Sequence, residues 1–491
     1  MGMNTRFVLS ILMLSSLLVS SSIHASAQAC FEASGQDFSE VLACYKKAED
    51  ANPLLYTAKA STIFPGVEKR SFELSSQQWS PQALVSPAPW KHTVDIYIPD
   101  NALHSQALLL ANNGTANAGP TNANEPTDFT ETMALEVAGK TRTIVISVSN
   151  VPNQYLTYAD DGIARTEDAS VAHSWKLFLD DPYQRPFMSV RLPMVVSMVK
   201  AMDLAQKELQ PWGIDRFIAS GASKRGWTVW LTAIADERVK AIVPFVIDVL
   251  GTDNVLEHTY QSYGKNWPLA FFDYHHEGIT QRIKTENFSR LMQIEDPLNY
   301  LQTRYAERLA IPKYIVNASS DDFFLPDNAR FFFDRLPGPK ALRVAPNASH
   351  YGIKRFIENS LIPVINRWQQ DKPLPVISLR PDQQPQKIGL QFSEAPVRVI
   401  QWTAINPHAR DFRQPCGIQF EPQELSLTAP LDGVMQIDTP ENGWKATFVE
   451  AIFADGFVVT TPVQVMPMRY PSQAPPVIEP ACKTLPDLAS R

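Results

Sequence analysis

Beyond Val19 the chain contains no apolar run long enough to span a bilayer, so no transmembrane anchor is expected. Basic clusters are missing too, and the formal charge is −7, which argues against nucleic acid or an anionic membrane surface as partners. Glycine is scarce, with 20 against 39 prolines; this balance fits ordered loops and edge strands rather than disorder. Cysteine is limited to four, with no Cys-x-x-Cys pair, no Cys/His zinc spacing and no His-Glu-x-x-His. No metal or other cofactor is therefore expected. No internal repeat is present, which excludes a solenoid.

What is present begins with an export signal. Met1 to Arg6 carries one charge, Phe7 to Val19 is an almost unbroken apolar run, and Ala25-Ser26-Ala27 offers small residues for cleavage. A signal peptide over 1–27 is expected, with a periplasmic or secreted mature protein. The four cysteines fit that compartment. Three connectivities are possible, and the local pairs Cys30–Cys44 and Cys416–Cys482 are preferred because each ties down a segment that would otherwise fray. About 460 residues remain after cleavage, 44% of the chain is hydrophobic and 10% aromatic, so a large core and more than one domain are expected.

Along the chain, Glu68 to Leu74 and Lys91 to Pro99 alternate like half-buried strands. Gln106 to Ala111 is a continuous apolar strand that runs into Asn112-Asn113-Gly114-Thr115. Thr127 to Ala138 reads as a helix, Thr143 to Val148 as a strand, and Asp168 to Leu179 and Met188 to Leu209 as helices. Strand and helix then alternate: Phe217 to Ala219, a helix from Lys224, and Ala241 to Ile247. After an aromatic-rich insertion over 248–299 the pattern resumes with Lys313 to Asn317, a helix Asp327 to Leu336, Ala341 to Val344 and a helix Tyr351 to Gln369. This predicts an α/β domain over 28–370, with a mostly parallel sheet covered on both faces. Prolines 373, 375, 381 and 385 mark a linker. The short alternating runs beyond it predict an all-β sandwich over 371–491.

The chemistry sits at three strand ends. Gly221-Ala222-Ser223-Lys224-Arg225-Gly226 joins a strand to a helix, with small residues clearing space around a serine, which is the layout of a nucleophile elbow. Ser319-Ser320-Asp321-Asp322 follows the next-to-last strand of this domain, and Ser349-His350 follows the last. Serine, acid and histidine stand in α/β-hydrolase order, and the chemistry needs all three. Ser223 is a weak nucleophile until His350 takes its proton, and Asp321 orients the imidazole and stabilises its cation. Asp322 and Asp248 are alternative acids. The oxyanion hole is expected to combine the backbone N–H of Lys224 with one from the loop at Gly114 and Thr115. Lys224 and Arg225 read as surface ion-pair residues, and Glu167 and Asp168 as partners of a helix N-terminus. From the insertion, Trp267, His275 and His276 are substrate-pocket candidates, whereas most of its aromatics read as core.

Taken together, Ser76-Gln77-Gln78-Trp79, Arg165-Thr166-Glu167-Asp168, Gly221 to Thr232, Ile247-Asp248-Val249-Leu250, Asp321 to Asp327 and Arg410-Asp411-Phe412-Arg413 resemble the PhoPQ-activated pathogenicity-related protein family. The resemblance implies an exported α/β-hydrolase-like protein linked to virulence and resistance to antimicrobial peptides, with a eukaryotic branch linked to signalling. The combined expectation is an exported serine hydrolase acting on a small-molecule ester, or on a peptide or amide bond. A secreted signalling or binding protein on the same scaffold is the alternative.

Overall fold

The computed structural model describes residues 25–115, 126–382, 384 and 386–486. The expected leader lies outside them up to residue 24, as does the small-residue loop over 116–125. Among the described residues, no helix is long and apolar enough to cross a membrane.

Nine strands build one sheet. In chain order they are β1 (Leu55–Phe64), β2 (Val67–Gln78), β3 (Pro89–Pro99), β4 (Gln106–Ala111), β5 (Ile144–Val148), β6 (Arg216–Ala222), β7 (Val239–Phe245), β8 (Lys313–Ala318) and β9 (Lys340–Ala345). Across the sheet they lie in the order β1-β2-β3-β5-β4-β6-β7-β8-β9. The pairs β1–β2, β2–β3 and β3–β5 are antiparallel. From β5 to β9 every neighbour is parallel. Strands β4 to β9 are short apolar runs because both faces are covered, and their side chains alternate between two cores. Ala107, Leu109 and Ala111 of β4 enter one core and Leu108 and Leu110 the other. This is an α/β-hydrolase fold.

Helices α2 (Glu131–Thr141) and α8 (Glu358–Gln369) pack on one face. The other face carries α3 (Glu167–Asp180), α4 (Arg191–Glu208) and α5 (Lys224–Ala235), joined by the N-terminal α1 (Val41–Asp50). Cys44 of α1 is disulfide-bonded to Cys30, and Cys416 to Cys482, the two pairings expected. Between β7 and β8 the insertion supplies α6 (Thr252–Ser262) and α7 (Glu286–Glu295).

The C-terminal part holds two antiparallel sheets. One contains β10 (Ile377–Pro381), β11 (Lys387–Phe392) and β14 (Asp432–Gln436). The other contains β12 (Arg398–Asn406), β13 (Glu421–Glu424), β15 (Trp444–Ile452), β16 (Val458–Thr460) and β17 (Gln464–Met466). They share both cores with the α/β layer rather than standing apart. Tyr314 of β8 donates to the Val458 carbonyl at 2.6 Å, and the Val344 N–H of β9 donates to Thr460 at 3.0 Å. The tail then returns: Thr484–Pro486 pairs antiparallel with Asn266–Pro268 of the insertion, Trp267 opposite Leu485.

Several elements differ from the sequence reading. Strand β1 is mostly exposed on both faces, so it lacks the alternation that betrays a strand. The helix expected over Asp327 to Leu336 is instead two short 3-10 turns, Asn328–Phe331 and Phe333–Arg335, broken at Phe332. Tertiary bonds hold that segment. The Asp327 carboxylate is taken by Arg410 and His258, and Asn328 Nδ2 donates to the Asp248 carbonyl. Tyr351 to Phe356 is likewise a 3-10 stretch, and α8 starts only at Glu358.

Candidate active site

Strand β6 delivers Ser223 into a backbone conformation that side chains avoid, φ 56° and ψ −127°. Such strain persists only when neighbours impose it. Here the Ser223 N–H donates to the Phe245 carbonyl of β7 at 2.9 Å, and its carbonyl accepts from Trp227 of α5 at 3.0 Å. The glycines supply clearance: a Cβ on Gly221 would stand 2.6 Å from the Arg225 carbonyl oxygen, and one on Gly226 would stand 2.9 Å from that of Gly221. The sequence departs from Gly-x-Ser-x-Gly at Arg225, and the missing glycine is not needed because the helix carries that side chain inward. Its guanidinium reaches the Val151 carbonyl, Asp128 and Glu167.

The three expected loops converge. Ser223 Oγ lies 2.9 Å from His350 Nε2. On the far side of the ring, His350 Nδ1 lies 2.9 and 3.0 Å from the two carboxylate oxygens of Asp321. Asp321 is itself held by the N–H groups of Phe323 at 2.8 Å and Phe324 at 3.2 Å. Phe323 and Tyr351 flank the imidazole, with ring centroids 4.7 and 5.7 Å away. Burial pulls the imidazole pKa down, but the charge of Asp321 and its hydrogen bond outweigh that and raise it.

Neither alternative acid takes that place. Asp248 is buried, and burial first, then the charges of Asp321 and Asp327, push its carboxyl well up. One of its oxygens has no partner among the described residues. Asp322 is pushed up to about 6 by burial and by Asp321, and it receives the backbone N–H of His350 rather than the ring.

The expectation of a surface position for Lys224 and Arg225 is overturned. Both are buried, Lys224 Nζ lying 2.8 Å from Glu167 and 3.1 Å from Asp168, and Arg225 2.6 Å from Glu167 and 3.2 Å from Asp128. Burial pushes the Glu167 carboxyl up, but the two cations hold it well below the ordinary range. Glu167 therefore does more than start α3: it anchors the elbow. Gln154 ties this pair to the proposed oxyanion loop, its Nε2 donating to Glu167 at 2.8 Å and to the Gly114 carbonyl at 2.7 Å.

Two cavities meet at Ser223. One, of about 50 Å³, is lined chiefly by Trp175, Trp227, Trp267, Phe271 and Leu256 and touches Ser223 and Lys224. The other, of about 220 Å³, is lined by polar groups including Asn113, Asp128, Lys354 and Tyr351 and touches both Ser223 and His350. Trp267 stands where a pocket residue was expected. His275 and His276 do not: the first bonds the Pro486 carbonyl of the returning tail, and the second stacks on Phe272 at the surface. From their short helix it is Tyr274, not either histidine, that lines the narrow cavity. The site also uses Tyr274, one of the aromatics of the insertion, and a buried ion pair that sequence reasoning passed over. Tyr274 donates to Asp168 at 2.9 Å, and a fully buried Arg191–Glu295 pair, 2.6 Å apart, backs the Lys224 carbonyl. Their signal in the sequence is only polarity within apolar stretches. The His/acid group Asp160, Asp161 and His173 has ligand atoms within 4.8 Å of one another, but Asp161 is already paired with Arg165.

The chain is similar in sequence to one curated protein and in structure to solved esterases. The chain is 31% identical over 404 residues to autocrine proliferation repressor protein A of Dictyostelium discoideum, covering 77% of this chain and 79% of that protein. Among solved structures, an acetyl xylan esterase from Paenibacillus aligns at 14% identity and TM-score 0.46, over 67% of this chain and 94% of that one. Another, from Thermoanaerobacterium, aligns at 17% identity and TM-score 0.42, over 64% and 88%. The profile of the PhoPQ-activated pathogenicity-related proteins matches residues 42–413, and the chain belongs to that family.

Proposed function

We propose that this protein is an exported serine hydrolase that cleaves carboxylic esters, with amide or peptide bonds as the second choice. The observation that carries the reading is the unbroken line Asp321–His350–Ser223, aimed through a strained elbow into two cavities. In this reading His350 Nε2 takes the Ser223 proton as Oγ attacks the carbonyl carbon. Asp321 holds the ring and stabilises the imidazolium. Negative charge on the carbonyl oxygen is met by the Lys224 N–H at the start of α5, and a second donor comes from the loop at Gly114 and Thr115. The segment 248–299 is the cap that lines the narrow cavity, and the β-rich part from 371 supports the site from behind. The family's name supports a role in pathogenicity.

Fluorophosphonate labelling tests the chemistry. The probe is expected to modify Ser223 in the wild type and nothing in Ser223→Ala. His350→Ala should slow labelling by roughly four to six orders of magnitude, and Asp321→Asn by up to about four. A folded wild-type protein that takes up no probe between pH 6 and 9 would overturn the enzyme in favour of a second reading. That reading, a signalling protein on a hydrolase scaffold, draws its support from the relative named as a proliferation repressor.

A further inference from the structure

The two cavities are not equivalent, and their chemistry defines a substrate. This inference rests on the hydrolase reading above. In acyl transfer the imidazolium must protonate the departing oxygen, so the leaving group has to lie on the side of Ser223 that His350 borders. Only the larger of the two cavities is lined by both Ser223 and His350. The narrow one is lined by Ser223 and Lys224 without His350, so it faces the acyl side of the reacting carbon. We infer that the protein removes short apolar acyl groups from a polyhydroxyl alcohol.

Size sets the acyl limit. The narrow cavity, about 50 Å³ against about 220 Å³ for the other, leaves the smaller room on the acyl side and so favours a short acyl group. The walls are indole and phenyl faces: Trp267 stacks on Phe271 at 5.6 Å, and Trp175 meets Trp227 edge-on at 5.9 Å. Charge sets the alcohol. Among the described residues, the larger cavity is lined by three fixed cations, Lys224, Arg225 and Lys354, and three carboxylates, Asp128, Glu167 and Asp168. All six are already paired with one another, Lys354 lying 3.3 Å from Asp128. No net charge is left to select an ionic headgroup, yet hydrogen-bonding groups are dense. At the rim Tyr351 is 72% exposed, offering a flat apolar face to a sugar-like ring. At about 220 Å³ this cavity is the roomier of the two, which suits a ring-sized alcohol.

The reaction balances with water as co-reactant. Ser223 Oγ bonds the acyl carbon and its proton passes to His350 Nε2. The carbon–oxygen bond to the alcohol then breaks, and the alcohol oxygen takes that proton. Water, deprotonated by His350, attacks the acyl-serine; the Oγ–carbon bond breaks, Ser223 regains its proton, and a short carboxylic acid leaves.

The test uses the mature wild-type chain with two substrate series. With p-nitrophenyl esters from acetyl to decanoyl, kcat/KM should fall at least tenfold between butyryl and octanoyl, and Phe271→Ala should move the optimum to longer chains. With acetate as the common acyl group, a peracetylated monosaccharide should exceed hexyl acetate at least tenfold in kcat/KM, and Tyr351→Ala should raise KM for the sugar ester. Rates that rise or stay level with chain length, or a preference for hexyl acetate, would overturn the inference while leaving a hydrolase that labels with fluorophosphonate. Absence of both labelling and turnover would overturn the hydrolase reading, and this inference with it.

Discussion

At His350 two influences oppose each other. Burial disfavours the imidazolium, whereas the Asp321 carboxylate, bonded to Nδ1, favours it and prevails, so the pKa lies above the ordinary value of about 6.5. The base works only when neutral. Turnover and labelling should therefore rise with pH through an inflection above about 6.5, and in Asp321→Asn the inflection should move down, since burial is then opposed only by the lesser pull of Asp168. A pH–rate profile of both proteins checks this, and an unchanged inflection would refute the assigned role of Asp321. The same raised pKa makes a contribution to stability that is full below about 6.5 and fades as pH rises through the folded-state value. Sequence order left three acids open. Contact with the ring singles out Asp321, because both its oxygens reach His350 Nδ1, whereas Asp322 faces the backbone.

Among the elements, the elbow is where local sequence and site geometry coincide. A methyl group on Gly226 would press on the Gly221 carbonyl at 2.9 Å, on the Ile247 side chain at 3.0 Å and on the Phe245 carbonyl at 3.1 Å, and the Gly221 carbonyl cannot yield without moving β6 against α5. Gly226→Ala should cost about 1–3 kcal/mol, with a lowered melting temperature. Its labelling at Ser223 should fall further than the loss of folded protein explains, because the strain displaces Oγ from His350. A variant with wild-type melting and labelling would show that the glycine is not needed for clearance. The elbow was legible because a tight turn imposes its sterics on adjacent residues. The segment after Asp327 was not, since helical spacing was overruled there by bonds to Arg410, His258 and Asp248.

Over the whole molecule, the C-terminal sheets brace the loops that carry the acid and the histidine. Gln414 N–H donates to the Ser320 carbonyl beside Asp321, and Asn347 exchanges two hydrogen bonds with the Phe420 backbone beside the His350 loop. Arg410 crosses from this part to pair with Asp327 at 2.5 Å, both fully buried. Burial alone would raise the Asp327 carboxyl, but Arg410 and His258 hold it well below its ordinary range. Arg410→Met leaves that carboxylate buried with only His258 and Arg330 beside it, and should cost about 3–5 kcal/mol in denaturant unfolding at neutral pH. Because a depressed carboxylate stabilises above its unfolded pKa of about 3.9 and loses that effect on acidification, the gap between variant and wild type should shrink at low pH. A loss under 1 kcal/mol at pH 7 would refute the brace.

By itself the amino-acid sequence determined what short-range physics controls: the alternation of strand and helix, the small residues around Ser223, and the order of serine, acid and histidine. Tertiary structure alone decided which acid meets the ring, that Lys224 and Arg225 are buried among carboxylates, and that the tail returns to pair with the insertion at Trp267. The reason is distance along the chain. Ser223 and His350 are 127 residues apart, Arg410 and Asp327 83, and His275 and Pro486 211. No local period or turn preference reaches that far; only the packing of one sheet with covers on both faces brings such groups together.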